Sequence, residues 1–174
     1  MQRQDLSRAQ QVSLVLLRTL VGWHFLYEGF FKLWLPAWSR EGAPLAGWSS
    51  AGYLRGAGGP IGSLFRALAS PPLVEWVDLA VSLALLLVGL SLILGLFTAV
   101  GCAGALGLLA LFYLSAIPTA GVPGVGAEGA YLIVNKNLVE AGAVLVLLFF
   151  RTERIAGLDL LRGRAGARAE ELAS

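Results

Sequence analysis

The sequence predicts an all-α fold: an integral membrane four-helix bundle with a short interfacial helix in its first outer loop. Three observations carry this expectation. The 174 residues are 57% hydrophobic and only 14% charged, with a mean hydropathy of +0.74. A soluble domain of that size has too little interior for so much apolar surface, so lipid must cover part of it. Four apolar runs, 12–35, 74–96, 99–117 and 130–150, reach the roughly 20 residues that a helix needs to cross hydrocarbon. None alternates polar and apolar residues with a period of two, which argues against barrel strands. The whole chain, 1–174, reads as one membrane domain.

The first run, Val12–Leu35, carries His24, Glu28 and Lys32 and has no small-x-small cleavage site behind it. It therefore reads as a membrane helix rather than a removed signal. The loop that follows, Pro36–Leu73, offers Trp38, Trp48 and Tyr53 as interface anchors. Gly56 to Pro60 makes a turn-rich break. Ile61, Leu64, Phe65 and Leu68 then recur at helical spacing and predict a short surface helix, ended by Pro71-Pro72. This loop reads as a connector, with a lid over a site as the sharper alternative.

The second and third runs are separated only by Leu96-Phe97-Thr98, which makes them antiparallel neighbours. Ala99, Ala103 and Gly107 form a small-residue stripe for close helix packing in the third. Pro118 to Gly129 is rich in glycine and proline but lacks the GK[ST] ending of a phosphate loop. Beyond Phe150 a charged tail, 151–174, carries Ile155, Leu158 and Leu161 at the spacing of a surface helix. Arg3 and Arg8 precede the first span, and Arg151, Arg154, Arg162, Arg164 and Arg168 follow the fourth. By the positive-inside rule both ends face the cytoplasm.

Composition also excludes functions. The net charge of +2 comes with no basic stripe interleaved with aromatics, so nucleic-acid binding is not expected. The single cysteine, Cys102, allows no intrachain disulfide, CxxC pair or thiolate zinc site. The single histidine, His24, excludes an internal bis-histidine haem, and no flavin, haem or metal motif is present.

Chemistry concentrates in the first and fourth runs. Both lysines, Lys32 and Lys136, lie inside apolar runs, each four residues from a glutamate, Glu28 or Glu140. A charge at mid-bilayer costs about 2.5–3.5 kcal/mol on insertion scales, so such residues mark a site by default. Counting turns from the ends of the runs places the two pairs at similar depth in the outer half, with His24 deeper and Arg18 near the cytoplasmic side. His24, Glu28 and Lys32 share one helix face at i, i+4 and i+8. Trp23, Tyr27 and Phe31 form the neighbouring stripe, and Asn135, Lys136, Asn137 and Glu140 make a polar patch on the fourth run. Carboxylates, a histidine and amide donors beside aromatics suit a quinone head group. Glu28 and Glu140 are then the proton-exchanging residues. His24, Lys32, Lys136, Asn135, Asn137, Trp23 and Tyr27 are the binding residues. Ion pairs that merely lock the bundle's register are the structural alternative, and His24 with Glu28 as half a metal site is a weaker one.

The chain also resembles the DoxX/DoxD family, specifically the small-subunit type of thiosulfate:quinone oxidoreductase. The resemblance rests on RTLVGWHFLYEGFFK from Arg18 to Lys32, WSSAGYL from Trp48 to Leu54 with Gly59-Pro60, GLFT from Gly95 to Thr98, and YLIVNKNLVE from Tyr131 to Glu140. It implies a four-helix protein of the prokaryotic inner membrane. Its implied role is as a subunit of a quinone-linked oxidoreductase, with thiosulfate as a donor and a partner redox subunit or homo-oligomer around it. A non-enzymatic accessory or assembly subunit of a membrane redox complex is the alternative, and a small proton or anion transporter a third.

Overall fold

The computed structural model describes residues 6–34, 49–58, 61–115 and 133–162. Leu35, Trp38, Trp48, Gly59-Pro60, residues 118–129, the start of the fourth run at 130–132 and the charged residues beyond 162 lie outside the described residues, as does Arg3. All regular structure among the described residues is helical.

Helix α1 covers Arg8–Trp34 and starts a turn earlier than the apolar run. The cause is a capping box: Ser7 Oγ accepts from Gln10 N at 3.3 Å while Ser7 N donates to Gln10 Oε1 at 2.8 Å. Two short helices follow, α2 (Ala51–Gly56) and α3 (Gly62–Leu68), the second on the residues whose spacing predicted it. Helix α4 (Leu73–Leu94) ends at Gly95, whose φ of 61° supplies the left-handed cap. Helix α5 (Thr98–Ser115) begins three residues later, and α6 covers Lys136–Phe149. A 3₁₀ turn, Thr152–Arg154, and a helical turn at 158–162 close the described chain.

The four longer helices touch in cyclic order: α1 on α4, α4 on α5, α5 on α6, and α6 on α1. The first contact is extensive and the last is thin. Their shared core holds Phe25, Leu85, Leu92, Cys102, Leu109 and Leu147, with Cys102 fully buried as a packing residue. The close approach of α1 to α4 depends on glycines. A Cβ on Gly89 would lie 2.3 Å from Leu26 N, and one on Gly29 would lie 2.5 Å from Leu86 N. The predicted stripe on α5 does not do this job, since Ala99, Ala103 and Gly107 are exposed. Gly101 takes the tight contact instead, against Ser91.

Helices α4 and α5 are long and apolar enough to cross a membrane. Only 28% and 39% of their apolar windows are buried, so most of this surface faces outward, including Leu83, Leu87, Val100 and Leu111.

The two ends of the bundle are tied differently. At the end where α2 and α3 sit, Leu54, Ala57, Phe65, Ala69 and Val74 form a second small core. Ser50 donates to the Asp78 carboxylate through its backbone N (2.8 Å) and its hydroxyl. The Tyr53 hydroxyl donates to Phe112 O at 2.9 Å and accepts from Ser115 Oγ at 2.5 Å. At the opposite end Arg18 is buried, donating from Nη1 to Thr152 O (3.1 Å) and Ala156 O (2.7 Å). Among the described residues it forms no ion pair with an acid, although Glu153 and Asp159 lie within electrostatic reach. It satisfies carbonyls just past the C-terminus of α6, where the helix dipole favours a cation.

Candidate functional site

On α1 the period of 3.6 residues aligns His24, Glu28 and Lys32 as expected, at the border between the face packed on α4 and the outward face. Lys32 Nζ donates to Glu28 Oε2 at 2.5 Å. Glu28 remains 43% exposed and Lys32 16%. Beside them Trp23, Tyr27 and Phe31 stack one on the next, with ring centroids 6.4 and 6.1 Å apart and tilts of 27° and 30°.

Helix α6 supplies the other wall. Its N-terminus is fixed by Asn135, whose side chain accepts from Leu138 N at 3.2 Å. This makes Lys136 the first residue of the helix, whereas the apolar run put it one to two turns deep. Glu140 is then in the second turn and level with His24 rather than Glu28. His24 Nδ1 and Glu140 Oε1 are 2.6 Å apart, joining α1 to α6 across their thin contact. The Glu140 side chain is 14% exposed and that of His24 50%. Lys136 and Glu28 both lie within electrostatic reach of the imidazole. Tyr113 reaches the same end of the bundle, donating to Ile133 O at 3.1 Å.

Spacing along the chain pairs each lysine with its own glutamate and leaves His24 a turn deeper on the same face as Glu28 and Lys32. The structure brings His24 to Glu140, and that bridge is the contact sequence spacing missed. No local signal in the chain reports it, because the two residues are 116 positions apart. The Asn135 side-chain oxygen is taken up by the helix cap. Among the described residues no three of His, Cys, Asp and Glu gather closely enough to hold a metal ion.

Chemically, a carboxylate that accepts from Nδ1–H fixes the imidazole tautomer and leaves Nε2 to take or give a proton. Nε2 has no partner among the described residues. Glu28 beside Lys32 adds a second proton-bearing group one turn away along α1. The arrangement can hold a polar oxygen, pass protons to it and stack a planar ring. Comparison with protein-family models, curated proteins and solved structures found no match for this chain.

Proposed function

We propose that the chain is a multi-pass inner-membrane subunit of a quinone-linked oxidoreductase, built as a four-helix membrane bundle with both termini cytoplasmic. The observation that carries the proposal is the His24–Glu140 bridge at 2.6 Å, half-open and flanked by stacked aromatic rings. The outward apolar faces of α4 and α5 support the membrane reading. The exposed Arg151, Arg154 and Arg162 support a cytoplasmic placement of the end that holds Gly95. The resemblance to DoxX/DoxD proteins supports quinone, with thiosulfate as a donor docking near Lys32 and Lys136.

The residues present fit a quinone. When bound it supplies an acceptor of two electrons and two protons. His24 would hydrogen-bond a carbonyl oxygen through Nε2, and Glu140 would hold the imidazole in place and balance its charge when protonated. Glu28 would exchange a second proton, while Lys32 holds its carboxyl partner and attracts anions. Electrons would come from a partner subunit.

A second reading has its own support. The same bridge is a polar tie across the thin α1–α6 contact, and a non-enzymatic accessory or assembly subunit would need it only as a lock. Quinone-linked turnover and membrane abundance of Glu140→Gln separate the two. A normal amount of protein with turnover lost supports the site. Lost protein or lost complex formation, with specific turnover unchanged, supports the lock.

A further inference from the structure

The α1–α6 seam differs from the other three helix contacts in ways that bear on how a ligand arrives. It is the thinnest contact in the ring, and it carries acids and an imidazole where the others carry packed hydrocarbon and glycine. Two of its polar groups are half-open, the His24 side chain at 50% exposure and that of Glu28 at 43%, while Glu140 and Lys32 are mostly covered. The residues around them on α1 are apolar and outward-facing, with Leu16 56%, Leu20 58% and Trp23 59% exposed.

We propose that the seam is a lateral portal to the bilayer. Its occupant is an amphiphile with a planar, carbonyl-bearing head and a long apolar tail, entering sideways from hydrocarbon rather than from water. This rests on the reading of His24 and Glu140 as the site and adds its route of access. The head stacks against the Tyr27–Phe31 part of the aromatic ladder, where His24 Nε2 meets its oxygen. The tail runs along Leu20 and Leu16, towards the end of the bundle that holds Arg18. Glu140 and Lys32 satisfy only part of the half-exposed His24 and Glu28 side chains, so a polar head that bonds the remaining atoms is favoured there over a lipid chain. A small hydrophilic substrate would gain nothing from the exposed leucines.

The test uses wild-type protein reconstituted in phosphatidylcholine vesicles. It is treated with dicyclohexylcarbodiimide, which dissolves in hydrocarbon, and in parallel with a water-soluble carbodiimide, and adducts are mapped by mass spectrometry. The portal predicts that the apolar reagent modifies Glu28 or Glu140 several-fold faster than the soluble one, and that a short-tailed ubiquinone slows it. Faster modification by the soluble reagent would overturn the portal. So would no modification by either, the result a second copy of the chain packed on this face would give. Apolar labelling that ubiquinone leaves unchanged would keep the portal and overturn the quinone-like occupant.

Discussion

His24 shows how a contact between distant segments escapes local spacing. Counted from the edges of the apolar runs, it lies a turn, about 5.4 Å, below Glu28, whereas Glu140 falls between two and three turns deep. Asn135 reads as a polar site residue but acts as the cap that starts α6 at Lys136. The candidate residues were legible because charge inside an apolar run is rare; their pairing was not, because it depends on how two helices far apart in sequence lie against each other. Changing His24 to Ala or Glu140 to Gln is therefore expected to lower quinone-linked turnover at least about 100-fold, the contribution of one positioned proton-transfer group. Stopped-flow or oxygen-coupled assays on equal amounts of protein would measure it. Glu28→Gln should cost less, and equal losses at Glu28 and Glu140 would argue against the bridge as the centre. For Asn135 the expectation is structural: Asn135→Ala should destabilise the protein by about 1 kcal/mol in a detergent melt, without a specific loss of turnover.

At the scale of elements, apolar runs located α1, α4, α5 and α6, but not what holds them together. Gly29 and Gly89 permit the α1–α4 approach, and neither belongs to the small-residue stripe that the sequence made conspicuous on α5. Spacing identifies small residues; only the rotation of a helix decides which of them face a neighbour. Gly89→Leu should destabilise by about 1–3 kcal/mol or more through overpacking, while Gly107→Leu, with open space at its Cβ, should be nearly silent. Thermal melts of both variants check this pair.

The start of α5 offers a pH test. The Asp159 carboxylate accepts from Phe97 N and Thr98 N, both at 3.0 Å, and from Thr98 Oγ1 at 3.2 Å. Partial desolvation raises the carboxyl's pKa, but these bonds and Arg162 outweigh it and hold the group below its ordinary value. The stabilisation is complete above the unfolded pKa of about 3.9 and is lost as pH falls through the lower folded value. Melting temperature should thus fall below about pH 4 more steeply in wild type than in Asp159→Asn. Parallel curves for the two proteins would remove Asp159 from this role.

At the scale of the whole molecule, the two ends of the bundle have different constructions. Around Arg18, Gly95 and Asp159 the C-terminal segment is bonded into the helix ends, whereas α2 and α3 rest on α4 and α5 through Ser50, Asp78 and Tyr53. The sequence predicted α3 from its apolar spacing, but α2 was not visible: six residues with two glycines carry too little periodic signal. If the bundle spans the inner membrane with both termini cytoplasmic, reporters fused at either terminus should be active only in the cytoplasm. Opposite locations for the two would require an odd number of spans.

Lipid extraction and mass spectrometry of the mildly purified protein, wild type beside a normally folded Glu140→Gln variant, tests the central claim most directly. The account predicts quinone bound to the wild type and lost from the variant. No quinone on the wild type, or equal amounts on both, would contradict a quinone site at the His24–Glu140 bridge.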